Sequence, residues 1–220
     1  MSAPRVAVVL SGCGVRDGVG THEPVLTLLT LVRHGAIPRC FAPDVKETEE
    51  ERAVPVVGRS VQMESARIAR GSVTSLSEFQ AADYDAVMFP GVFGVVTDLP
   101  TFSTQGADIP VDPDVGRCIR DAHAAGLPIG ALCMPPAVLS RILGQGVDLA
   151  VVESNAVEQR QEDTENPVKV DVIALDPGNR VVTTPDDMFE ATVERVGNAV
   201  DNVVQALLKM VSPAHDKVEA

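Results

Sequence analysis

Short runs of Val, Ile, Ala and Leu recur along this chain, and most are followed by segments whose apolar residues fall at helical spacing. That alternation constrains the fold more than any other feature. Strands that are apolar along their whole length must be covered on both faces, and helices laid over a parallel sheet do this. The runs are RVAVVLSG at 5–12, AIPRCFAP at 36–43, DAVMFP at 85–90 and LPIGAL at 127–132, with DLAVVE, VDVIAL and RVVTT from residue 147 onward. The expected fold is therefore α/β with a mostly parallel central sheet between two helical layers. At 220 residues, one domain spanning 1–212 with a short tail at 213–220 is expected.

Helix signals fall between these runs. THEPVLTLLTLVRHG at 21–35 has Thr21 as a candidate cap, Pro24 in its first turn and Gly35 as its stop. VQMESARIARG at 61–71 stops at Gly71, and TSLSEFQAADY at 74–84 reads as a further helix. DPDVGRCIRDAHAAG is capped by Asp112 or Asp114 and closed by Gly126, PPAVLSRIL follows the LPIGAL strand, and residues 186–211 form a long amphipathic helix.

Bulk properties narrow the function. A net charge of -13 without a basic stripe argues against nucleic acid, and no apolar run of about 20 residues argues for a membrane span. The acidic stretches KETEEE at 46–51 and EQRQEDTEN at 158–166 read as solvated surface. Four separated cysteines, Cys13, Cys40, Cys118 and Cys133, make no C-x-x-C, so neither a zinc site nor a disulfide framework is expected. MSAPRVAVVLSG enters a strand pattern at once, without the features of a signal peptide, and with the free thiols this sets the expectation of a cytoplasmic protein.

In open α/β sheets, sites form beyond the carboxyl ends of the strands. Three loops belong there: SGCGVRDGVGTHE, PGVFG and ALCMPP. Within PIGALCMPPAV, Cys133 stands at a strand-to-helix turn resembling a nucleophile elbow, where the positive end of a helix dipole favours thiolate. A buried cysteine that merely fills space is the competing reading. Glu23 would reach toward the same sheet edge and work as an acid beside the sulfur, or else serve only to stabilise its helix start. His22 reads as exposed. SGCGVRDG lacks the G-x-G-x-x-G spacing, and the histidines at 22, 34, 123 and 215 are not placed to complete a glutamine amidotransferase site.

Taken in order, VVLSGCGVRDG, THEPVLTLLTL, CFAP, ESARIARG, PGVFG, ALCMPPAVL and VVTTPDDM resemble the ElbB group of the ThiJ/PfpI superfamily across nearly the whole chain. The resemblance implies a flavodoxin-like three-layer sandwich, a homodimer, and a cofactor-free and metal-free glyoxalase-type activity on a small carbonyl substrate. It makes Cys133 the nucleophile and Glu23 the neighbouring acid, with Gly12, Cys13, Gly91, Val92 and Met134 lining the pocket. Val92 departs from the Gly-Gly turn of relatives, and Met134 and Pro135 differ mildly. A second reading is a redox-responsive protein in which Cys133 is oxidised and Cys13 approaches it as a resolving thiol.

Overall fold

A computed structural model describes residues 2–11, 21–44, 60–91, 111–132, 136–144, 173–184 and 192–211. In chain order they form β1 (Arg5–Val9), α1 (His22–Arg33), β2 (Ile37–Ala42), α2 (Val61–Ala69), β3 (Thr74–Ser75), β4 (Ala86–Phe89), α3 (Pro113–Ala124), β5 (Ile129–Ala131), α4 (Pro136–Leu143), β6 (Ala174–Asp176), β7 (Val181–Thr183) and α5 (Val193–Met210). The seven strands make one sheet in the order β3-β2-β1-β4-β5-β7-β6. Every pairing is parallel except that of the edge strand β6 with β7.

The two-residue period of a strand sends β1 into both layers. Ala7 and Val9 enter one core with Val115, Cys118 and Ile119 of α3 and Leu139 of α4. Val6, Val8 and Leu10 enter the other, against Leu31 of α1 and the Val196 to Leu207 stripe of α5. From β1 the chain winds outward through β2 and β3 with α1 and α2 on the second face. It then restarts at β4 on the other side of β1 and winds through β5 and β7, with α3 and α4 on the first face. The direction of winding reverses between β1 and β4, which is where open α/β sheets leave a crevice at the strand ends.

Close packing at the sheet centre requires one glycine. A Cβ on Gly130 of β5 would stand 2.7 Å from Met88 Sδ and 3.3 Å from a Leu207 methyl, so only a bare backbone lets α5 settle there.

Three local expectations need correction. Residues 74–84 do not form a helix. Thr74 and Ser75 instead pair with the end of β2, followed by two short 3-10 turns at Leu76–Glu78 and Ala81–Asp83. Tertiary contacts explain this: Arg117 of α3 donates to the Leu76 carbonyl at 2.7 Å and to that of Phe79 at 3.4 Å, occupying acceptors that a continuous helix would use. Leu76 and Phe79, three residues apart as suits a 3-10 turn, both enter the core, and Phe79 stacks on Tyr84. Second, α2 stops one residue before Gly71, because Arg70 itself takes the left-handed conformation at φ 52°. Third, Thr21 precedes α1 with helical backbone angles, a geometry in which its side chain makes no capping bond. The end of VDVIAL is strand from Ala174, while residues 170–172 and DLAVVE lie outside the described residues.

Candidate active site

The start of α1 is placed by its end. Gly35 at φ 79° donates to Val32 and Ala36 to Leu31, closing a Schellman turn that delivers the chain into β2. Ile37 then donates to the Pro4 carbonyl at 2.7 Å, which fixes the helix C-terminus at the amino edge of the sheet. Twelve helical residues rise about 18 Å. The first turn of α1, with Glu23, therefore lies at the carboxyl edge of the strands, on the β1 side of the crevice.

Two neighbouring strand exits open at that edge. Leu132 donates to the Phe89 carbonyl at 2.9 Å, extending the β4–β5 ladder one residue beyond the strand and setting the exit of β5 beside Pro90 and Gly91. Leu132 is fully buried, and Cys133 is the next residue in the chain. Gly91 takes no positive φ. Among the described residues, a Cβ added there meets nothing within 4 Å. Cys133, Met134, Gly12, Cys13 and Val92 lie outside the described residues.

Glu23 is half-buried, and its Oε2 is shielded from solvent with no hydrogen-bond partner among the described residues. Burial pushes its carboxyl above the ordinary 4.5, opposed in part by its own backbone N–H and by the charge of His22. The exposed His22 matches expectation. A carboxyl so placed holds its proton to higher pH than a surface glutamate and can donate it to an anion in the crevice.

The remaining thiols are of another kind. Cys118 of α3 is fully buried and its thiol is pushed up to about 12, chiefly by desolvation. Cys40 of β2 is half-buried and also raised by desolvation. Neither is a nucleophile at neutral pH. Among the described residues no three His, Cys, Asp or Glu side chains cluster as metal ligands, and no helix is long and apolar enough to cross a membrane. A cavity of about 290 Å³ on the opposite face, lined by Asp112, Arg120, Arg141 and Ile142, does not touch this site.

Sequence reasoning missed Thr27, one turn beyond Glu23. It is completely buried, and its Oγ1 has no partner among the described residues. Its signal was present as a hydroxyl in the otherwise apolar PVLTLLTLV, four residues after Glu23 and so on the same helix face. Glu64, 2% exposed on the first turn of α2, was also passed over.

Comparison with known proteins supports the same architecture. No protein-family model matches the chain. Human glutamine amidotransferase-like class 1 domain-containing protein 3, mitochondrial, is 37% identical over 225 residues, covering 94% of this chain and 84% of the relative. The ES1 protein homolog, mitochondrial, of Rattus norvegicus is 36% identical over 95% of this chain and 86% of its own length. Zebrafish (Danio rerio) ES1 protein, mitochondrial, is 30% identical over 94% and 86%. Among solved structures, an isoprenoid biosynthesis protein with an amidotransferase-like domain from Ehrlichia chaffeensis superposes with a TM-score of 0.71 at 28% identity, over 96% of this chain and all of that one. The flavodoxin-like, amidotransferase-like fold is thus shared. The cytoplasmic expectation is overturned, because the three curated relatives are named as mitochondrial proteins. Free thiols exclude a disulfide framework but do not distinguish one reducing compartment from another.

Proposed function

Because the chain belongs to the family of the ES1 and glutamine amidotransferase-like class 1 domain-containing proteins, we propose that it is a cofactor-independent, cysteine-based enzyme that converts glyoxal, or a similar small α-oxoaldehyde, to the hydroxy acid. The observation that carries this reading is Glu23: a carboxyl at the crevice edge, with its inner oxygen shielded and its proton held above the usual range. In the proposed reaction, the Cys133 thiolate adds to one aldehyde carbon and the new alkoxide takes a proton, giving a hemithioacetal. Glu23 in its carboxylate form removes the proton from that carbon and returns it to the neighbouring one, so the first carbon is oxidised to a thioester as the second is reduced to a carbinol. Water cleaves the thioester, releasing glycolate and the thiol, with no external oxidant or reductant.

The ElbB-like assignment has the support of the Ehrlichia isoprenoid biosynthesis protein at 28% identity. A homodimer, the arrangement proposed with it, has a face to use. Val25, Leu29 and Val32 stand 48%, 42% and 60% exposed at helical spacing along α1. An isologous contact would use this same stripe on both copies.

The test is glycolate formation from glyoxal by wild type, Cys133→Ala and Glu23→Gln. Turnover confined to wild type is expected, and equal turnover in wild type and Cys133→Ala overturns the proposal. If turnover is absent throughout while mild peroxide oxidises Cys133 to sulfinic acid and spares Cys40 and Cys118, the redox-responsive reading replaces it.

A further inference from the structure

A glycine inside a helix costs stability relative to alanine, and Gly116 is buried within α3. Its bare backbone makes room for Arg120. A Cβ on Gly116 would stand 3.3 Å from Arg120 Nη1 and 3.6 Å from Nη2, and its three nearest neighbours all belong to that guanidinium. The side chain therefore lies back across the preceding turn, toward the start of α3. There Arg120 lines the cavity of about 290 Å³ together with Arg141 of α4 and Asp112, the cap of α3. Arg117 engages the two acids within α3, Asp114 at 3.5 Å and Asp121 at 3.1 Å. Arg120 has no ion-pair partner among the described residues.

Two guanidiniums at one cavity, in a chain of net charge -13, form a local site for an anion. The third charged group narrows which anion. Asp112 accepts both of its backbone donors on Oδ1, from Asp114 at 2.9 Å and Val115 at 3.1 Å, which leaves acceptor capacity on Oδ2. A carboxylate repels an anion that offers only acceptor oxygens, but accepts a hydrogen bond from one that keeps an O–H. We propose that this cavity binds inorganic phosphate, with Arg120 and Arg141 donating to its charged oxygens and Asp112 accepting from its remaining O–H. Phosphate keeps that proton at neutral pH, whereas sulfate has lost both. The two arginines come from different helices and meet only in the folded chain, so bound phosphate stabilises the fold. The cavity lies apart from the crevice that carries Glu23, and phosphate binding stands or falls independently of turnover at Cys133.

The experiment is thermal unfolding of the full chain at pH 7 with phosphate, sulfate or chloride at equal ionic strength, paired with calorimetric titration of phosphate. Phosphate is expected to raise the unfolding temperature of wild type saturably, and more than sulfate or chloride does. Arg120→Gln and Arg141→Gln, at exposed positions, should fold and each weaken phosphate binding by about tenfold or more. Gly116→Ala keeps both charges and should itself stabilise α3, yet weaken phosphate binding, because its Cβ displaces the guanidinium. Asp112→Asn keeps a capping side chain and should bind sulfate as well as phosphate. An equal response of wild type to phosphate and chloride, or unchanged binding in Arg120→Gln, overturns the proposal. A wild-type response to sulfate equal to that to phosphate removes the role of Asp112 and overturns the assignment of phosphate.

Discussion

Helices α1 and α3 are both 12 residues long, cover opposite faces of the sheet, and end in the same way. Each closes in a Schellman turn on a left-handed glycine, Gly35 at φ 79° and Gly126 at φ 70°. Their starts differ. Asp112 caps α3 by accepting from the N–H groups of Asp114 at 2.9 Å and Val115 at 3.1 Å, and Pro113 fills the first position, where no donor is needed. At α1 the Thr21 side chain makes no capping bond, and the helix carries Glu23, whose inner oxygen is unbonded among the described residues, and, one turn below, the buried hydroxyl of Thr27. A helix end whose donors are satisfied by its own chain serves stability, whereas one left with polar groups at the crevice is available to a ligand. The core beneath α3 likewise takes in a thiol with no ionising role, Cys118, where the α1 side takes in a carboxyl.

The largest expected effects test whether the two helices are equal in packing. Leu31→Ala in α1 and Ile119→Ala in α3 each empty a fully buried site, and each should lower stability in urea by about 2–5 kcal/mol. A near-neutral result for either would end the symmetry. At the start of α3, Asp112→Ala leaves two donors without their cap and should cost about 1 kcal/mol, as read by thermal unfolding.

Glu23→Gln should act in the opposite direction. A carboxyl whose folded value lies above its unfolded one binds its proton more tightly in the native state, so wild-type stability falls as pH rises from 4.5 through the raised folded value. The glutamine variant lacks that loss. It should unfold at a higher temperature than wild type near pH 7, with the gap closing below pH 4.5. A gap that persists in acid would place the effect elsewhere than in ionisation. The smallest expected effect is none at all: with its thiol raised to about 12, Cys118 should remain unmodified by iodoacetamide in the native protein at pH 8, as read by mass spectrometry.

Much of this comparison was legible in the sequence. Gly35 and Gly126 announce their roles by type and position, because a helix stop is settled within one turn of chain, whereas the sequence left the cap of α3 open between Asp112 and Asp114. The burial of DAVMFP and LPIGAL follows from continuous apolarity. Residues 74–84 were misread because the decisive partner, Arg117, lies about forty residues away and claims the carbonyls a helix would need. Thr27 escaped notice because a threonine in a helix is unremarkable until its hydroxyl is known to lack a partner.

The sequence by itself determined the central strands β1, β2, β4 and β5, where most helices stop, and that a carboxyl stands at the start of the helix after β1. These are matters of periodicity and of residues within a turn of one another. Only the tertiary structure decided that the winding reverses between β1 and β4, that Glu23 faces the resulting edge with its inner oxygen out of water, and that Cys118 is inert. Desolvation is exerted by atoms distant in the chain, and a linear pattern records that a side chain is buried without recording what buries it.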